Sequence, residues 1–256
     1  MNFNFTKLST YEKSVLAGLY LSKFDSTGVN YLGFSSFIEA FNTIGLALST
    51  KPSSIKNYRD EFDPYFANAR QGWSKRQMQD DRRRLYEAFK DLSLEPFADV
   101  LRQAIYKNHD LDLMSENAAR ESGDEDENSF AKRLLTGQAA EKYFEVVHPS
   151  LPMLADYSLE DVTGLGCGFD FRLRKSGLDD FLAVEVKGLN DSRGTISLTE
   201  KEHRIAGVLS NRFFLFVVRN FREKPFHTIY CNPLKSGLIF SRQETQIIQV
   251  NWRVSI

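Results

Sequence analysis

A helical, helix-turn-helix-like N-terminal domain followed by an α/β domain with a mixed sheet is the fold class this sequence predicts. Three observations predict it. Apolar residues recur at helical spacing through most of residues 10–106, and after Gly168 they alternate at a period of two. Between these regimes, residues 115–129 hold no aromatic side chain and no aliphatic one larger than alanine, and they end in a run of acids. Such a stretch cannot bury enough surface to offset its ordering entropy. The chain therefore divides into a helical domain, 1–114, an acidic linker, 115–129, and an α/β domain, 130–256, each domain within the usual size range.

The elements follow in order. Val15, Leu16, Leu19, Tyr20 and Leu21 mark a first helix over 10–24. Ser35 and Ser36 can cap a second, running through Phe37, Ile38, Phe41, Ile44 and Leu48. A turn over 49–54 contains Pro52, tolerated near a helix start, and a third helix continues through Ile55, Tyr58 and Phe62. Helix, short turn and polar helix make the layout of a helix-turn-helix. Further helices are expected over 82–90 and 95–106, and then over 130–147, where Phe130, Leu134, Leu135, Ala139, Tyr143, Phe144 and Val147 form a stripe. Strands are expected over 168–174, 181–187 and 195–198. Thr199 with Glu202 fits a capping box opening a helix to about Leu209. The continuous apolar run of 212–220 is a strand buried on both faces, and 228–232, 238–241 and 247–254 are further strand candidates.

Composition excludes several classes. With 256 residues, 42% hydrophobic and 26% charged, the chain is ordinary for a globular protein. Cys167 and Cys231 are too few for a disulfide scaffold and cannot build a zinc site alone. No apolar run approaches the roughly 18 residues of a membrane helix, and the N-terminus lacks the pattern of a signal peptide, so a cytoplasmic protein without membrane contact is expected. The net charge of −1 gives the whole chain no pull toward nucleic acid, so charge must be read locally. The four histidines show no metal-ligand spacing.

The informative segments are Gly164-Leu-Gly-Cys-Gly-Phe-Asp170 and Val184-Glu-Val-Lys-Gly188. Residues two apart in a strand share a face, so Glu185 and Lys187 project together and Val184 and Val186 point the other way. A hairpin through 175–180 can bring Asp170 beside Glu185, with Phe169 and Phe171 pointing inward. Two carboxylates on adjacent strands can hold Mg²⁺ through oxygen, which lowers the pKa of bound water and neutralises phosphoryl charge. A lysine beside them can orient that water and stabilise developing negative charge. The same three side chains also suit an ion-paired hairpin edge with no chemistry. The glycine run precedes a strand instead of joining a strand to a helix, so it is not a dinucleotide fingerprint.

Asp170 followed by Glu185-Val-Lys187 resembles the motif of the PD-(D/E)XK nuclease superfamily, with Phe169 in place of the nominal proline. Gly137-Gln-Ala-Ala-Glu141, Gly166-Cys-Gly-Phe-Asp170, Glu185-Val-Lys-Gly188, Leu198-Thr-Glu-Lys-Glu202 and Phe213-Phe-Leu-Phe-Val-Val-Arg219 resemble, in order, the NO VEIN C-terminal domain, a branch related to the methylation-dependent nuclease Mrr. The resemblance implies a restriction-endonuclease-like fold for the α/β domain. It implies that Asp170 and Glu185 bind Mg²⁺, that Glu141 from the preceding helix joins them, and that Lys187 activates or positions the attacking water. It also implies 5′-phosphate and 3′-hydroxyl products and a restriction or host-defence role.

In the N-terminal half, Lys51-Pro-Ser-Ser-Ile-Lys-Asn-Tyr-Arg-Asp-Glu-Phe-Asp63 and Asn68-Ala-Arg-Gln-Gly-Trp73 resemble a helical module of restriction-type nucleases. Residues 51–84 carry nine basic against five acidic side chains, a local positive excess. Lys56, Arg70, Lys75 and Arg76 suit phosphate contacts, Asn57 or Arg59 can reach base edges, and Trp73 lies among them; a solvated helix face is the plainer alternative. The expectation is a Mg²⁺-dependent endonuclease acting on double-stranded DNA, and a homodimer is the simplest way to cut both strands. A catalytically silent DNA-binding regulator, or a nuclease subunit that needs a partner, is the alternative. With no P-loop in the sequence, no nucleotide cofactor is expected on this chain.

Overall fold

The computed structural model describes residues 8–73, 76–106, 127–244 and 254. Helix α1, Thr10–Tyr31, is opened by a capping box in which the Ser9 side chain accepts from Glu12 N and the Glu12 carboxylate accepts from Ser9 N. It is interrupted where its first apolar run ends: Asp25 has φ 50° and ψ −141°, and a second short helical stretch follows. Leu16, Leu19, Tyr20 and Leu21 are all fully buried, so α1 is the central rod of the helical half. Gly18 makes this possible, since a Cβ there would lie 2.4 Å from the Tyr58 Cβ of a neighbouring helix.

Helix α2, Phe37–Ala47, is capped by Ser36, and α3, Pro52–Phe62, starts on its proline at a position where the missing N–H costs nothing. Helices α4, Asp80–Phe89, and α5, Leu94–Ile105, complete this half within two residues of the expected bounds. Helix α6, Glu127–Val147, begins three residues before the expected 130. It packs against α2 on one side and against the sheet on the other.

The sheet has five strands in the order β1 (Ser158–Asp161), β2 (Phe171–Arg174), β3 (Phe181–Gly188), β4 (Phe213–Arg219) and β5 (Phe226–Cys231). All neighbours are antiparallel except β3 and β4, which run parallel with Glu185 opposite Leu215 and Lys187 opposite Val217. The parallel pair requires a crossover, and helix α7, Glu200–Leu209, supplies it. As expected of a strand covered on both faces, β4 is buried from Phe213 to Val218.

Two expected strands do not form. Residues 195–198 and 238–241 pair with no strand of the sheet. Their alternation is real, with Ile196, Leu198, Leu238 and Phe240 half-buried, but it arises from extended chain lying on the surface. The Phe240 ring, for example, meets His203 of α7 at 5.9 Å. Strand β1 carries no alternating signal in the sequence, because at the sheet edge only Leu159 of its four residues is even partly covered. The expected strand 247–254 lies outside the described residues except for Val254, and the expected linker lies outside them up to residue 126.

One apolar core runs without a break from α1 and α5 through α2 and α6 to the inner face of β2, β3 and β4. Polar contacts cross the same boundary. Glu39 of α2, fully buried, pairs with Lys132 of α6 at 2.7 Å. Gln138 Nε2 of α6 donates to Ala47 O at 3.0 Å and to Ile105 O at 3.2 Å. Asn42 Nδ2 donates to Phe221 O at 2.8 Å and to Glu223 O at 2.9 Å. A smaller cluster of Val162, Phe169, Ala183, Ala206 and Phe213 lies under α7 on the other face of the sheet. Among the described residues, no helix is long and apolar enough to cross a membrane.

Candidate active site

Strand β3 separates its side chains between the two cores. Val184 and Val186 join the large core beneath α6, while Ala183 belongs to the cluster beneath α7, so Glu185 and Lys187 project on the α7 side. Gly188 ends the strand where α6 crosses it. A Cβ there would sit 2.8 Å from Thr136 O and 3.2 Å from Ala140 Cβ, so glycine permits the helix to approach.

Asp170 precedes β2. Its N donates to Val184 O at 3.0 Å, extending the β2–β3 pairing, and its Oδ2 accepts from Val186 N at 2.8 Å. The flanking phenylalanines are both buried, but they do not share a core: Phe169 packs beneath α7 and Phe171 beneath α6. The expectation that they point the same way therefore fails. The chain turns between them, after Gly168 at φ +89°, and this turn aims the Asp170 carboxylate at the β3 backbone.

Asp170, Glu185 and Lys187 are thus brought together. Burial raises the Asp170 carboxyl from its ordinary 3.8 to about 7; the Val186 N–H opposes the rise, and the negative charge of Glu141 adds to it. Glu185, only 3% exposed, is held well above the usual carboxylate range by burial and by the charge of Asp170. Glu141, on α6 and half-buried, joins the group through its charge on Asp170. Burial also disfavours the Lys187 ammonium, but Glu185 at 2.6 Å and Glu202 at 2.9 Å outweigh it, and the lysine is pushed up to about 12.

The donor set suits a hard divalent cation. Among the described residues, no three His, Cys, Asp or Glu side chains are gathered as a ready-made metal cage. Mg²⁺ does not require one, because it uses one or two carboxylates and fills its remaining positions with water and phosphate oxygen. Two mutually repelling carboxylates, both disfavouring their own ionisation, form a place where a cation is electrostatically welcome. The Lys187 ammonium supplies a positive charge beside Glu185.

The structure contains the expected capping box of Thr199 and Glu202, and it also places Glu202 in this cluster, which the sequence does not signal. The capping-box spacing was the sole signal at that position, and it reports the helix start without saying what lies across from it.

The residues expected to meet DNA are distributed differently. Lys56 and Asn57 are exposed on α3, with Lys56 Nζ 2.7 Å from Asp60. Arg59 is buried, so its assignment to base edges needs correction. Its guanidinium bonds Asp60, lies 3.8 Å from Asp63 and stacks over Phe37 and Phe41. Arg70 also turns inward, with Nε and Nη2 each 2.9 Å from Asp63 and a further contact to Asp25. The acids at 60 and 63 draw both arginines into the protein: Arg70 ties the end of α3 to the break in α1, and Arg59 lies between α3 and the rings of α2. The Arg76 guanidinium lies over the half-buried Trp73 ring at 4.9 Å, and Lys75 lies outside the described residues.

The family model described as Protein NO VEIN, C-terminal, a family associated with the PD-(D/E)XK-like fold, matches residues 140–231. That span includes Glu141, Asp170, Glu185, Lys187 and Glu202, and it runs from the last two turns of α6 to the end of β5. No curated protein and no solved structure matches the chain.

Proposed function

We propose that this protein is a Mg²⁺-dependent endonuclease that hydrolyses phosphodiester bonds in double-stranded DNA, in a restriction or host-defence setting. The observation that carries the reading is the convergence of Asp170, Glu185 and Lys187, two carboxylates raised by burial and one ammonium, inside the span matched by the NO VEIN C-terminal family. The succession of α6, β1, β2, β3, α7 and β4 around this cluster is consistent with a restriction-endonuclease-like core.

Asp170 and Glu185 would hold the cation, with Glu141 assisting. When bound, the cation supplies charge neutralisation at the phosphoryl group and a more acidic water. Lys187, kept protonated by its two acids, orients the attacking water and stabilises negative charge developing on phosphate oxygen. The Val186 N–H fixes the Asp170 carboxylate, so the acid does not have to reorganise during the reaction. In the helical half, α2, the turn and α3 present Lys56 and Asn57 to solvent, a disposition suited to duplex DNA. Two copies would cut both strands.

The test is Mg²⁺-dependent cleavage of two plasmids, one unmethylated and one methylated at cytosine and adenine, beside Asp170→Ala protein. Discrete fragments that disappear with the variant support the reading and show which modification state is attacked. Intact plasmids with retained DNA binding would replace it with a silent regulator or a partner-dependent subunit.

A further inference from the structure

Helix α7 carries into the site an acid, Glu202, whose role above is only to keep Lys187 protonated. Glu202 Oε2 accepts from Thr199 N at 2.9 Å and from Lys187 Nζ at 2.9 Å. The first bond is half of the capping box, whose other half is Glu202 N donating to Thr199 Oγ1 at 3.2 Å. The Thr199 backbone N–H therefore fixes the carboxylate, and the carboxylate holds the lysine. Lys187 Nζ is simultaneously 2.6 Å from Glu185 Oε1, so the ammonium bridges a strand acid and a helix acid.

These two acids are not equivalent. A divalent cation on Glu185 competes with the ammonium for that carboxylate and repels it, so the 2.6 Å contact is weakened when the cation binds. Glu202 is tied to its helix and does not depend on Glu185. Without it, the flexible four-carbon stem of Lys187, whose side chain is already 23% exposed, is free to turn to solvent.

We propose that Glu202 is a positioning residue: it retains the Lys187 ammonium at the site while Glu185 is engaged by the cation. The proposal rests on reading Asp170, Glu185 and Lys187 as a phosphodiester-cleaving centre. It assigns the Glu202 carboxylate a second task beside its bond to Thr199 N, while the Thr199 side chain serves the helix start alone.

Two variants separate the tasks. Glu202→Gln keeps an oxygen for Thr199 N and removes the charge that holds the lysine. Thr199→Ala removes the side-chain cap and leaves the Glu202–Lys187 pair. The first measurement is the rate at which the Lys187 ammonium protons exchange with water, read by nitrogen-15 NMR on the full chain with and without Ca²⁺, the signal assigned through Lys187→Arg. With Ca²⁺, exchange is expected to be roughly tenfold faster in Glu202→Gln than in wild type and unchanged in Thr199→Ala; equal rates in Glu202→Gln and wild type overturn the proposal. The second is single-turnover cleavage at saturating Mg²⁺. Glu202→Gln is expected to be slower by roughly ten- to a hundredfold with unchanged duplex affinity, the usual scale for a misplaced group, while Thr199→Ala melts lower but cuts at the wild-type rate. Equal loss in both variants, or none in either, overturns the positioning role. If wild-type protein cuts nothing, the nuclease reading fails, and the exchange rates still decide whether Glu202 holds the lysine.

Discussion

Replacing Asp170 by asparagine should stabilise the folded protein at pH 8 and leave it unchanged at pH 4. The Asp170 carboxyl rises from 3.8 in the unfolded chain to about 7 in the folded one, chiefly through burial. An acid with a raised folded pKa binds its proton more tightly when folded, so stability is retained below about pH 4. It is lost progressively as pH climbs through about 7, and the loss is complete above that. At about 1.4 kcal/mol per pH unit, the ionised group costs the fold at most about 4 kcal/mol. Asp170 as a residue is half-buried, and partial solvation reduces the cost to about 2 kcal/mol. Asparagine removes the charge and keeps an oxygen to accept from Val186 N, a bond of 2.8 Å in the native protein. Urea unfolding of both proteins between pH 4 and pH 8 measures the difference, which should open from zero to about 2 kcal/mol in favour of the variant. Saturating Mg²⁺ should stabilise the wild type at pH 8 and not the variant, narrowing the gap. A variant less stable than wild type at pH 8, or a difference independent of pH, would refute the electrostatic reasoning.

Other consequences can be checked with single substitutions. Glu39→Ala strands the Lys132 ammonium against α2 and should cost about 3 kcal/mol, read as a lowered urea midpoint for the whole chain because the pair lies in the shared core. Gly188→Ala drives a methyl group against Thr136 O and should cost about 1–3 kcal/mol in the same assay, with reduced activity because β3 carries Glu185 and Lys187. Lys56→Ala should weaken duplex binding and flatten its salt dependence at unchanged stability, whereas Arg59→Ala should lower the melting temperature first, since that guanidinium serves Asp60, Asp63 and two phenylalanine rings.

How much of this was legible in the sequence depended on how local the cause was. Helix α7 could be read because its capping box is a contact between residues three apart, and β4 because an unbroken apolar run needs cover on both faces. The common face of Glu185 and Lys187 follows from strand period alone. Residues 195–198 and 238–241 carry the same alternation as true strands, and what separates them is the absence of a pairing neighbour, which is a tertiary fact. The inward turn of Arg59 and Arg70 was hidden for a similar reason. A count of basic residues does not reveal that Asp63, 1% exposed, will gather them. The continuous core was hidden by α6, whose apolar stripe shows one buried face in sequence, whereas Ala131, Gln138 and Ala140 are buried as well. Glu202 announced its helix cap, and its hold on Lys187 needed β3 and α7 to be placed side by side.

The proposed seat for a divalent cation between Asp170 and Glu185, beside the protonated Lys187, can be measured directly. Its most direct measurement is calorimetric titration of the full chain with Mn²⁺ and with Ca²⁺, in the presence of a short DNA duplex, using wild type, Asp170→Asn and Glu185→Gln. At least one cation per chain that requires both carboxylates, in variants that remain folded, is the result expected. Cation binding that survives both substitutions, or no binding by the wild type with duplex present, would contradict it.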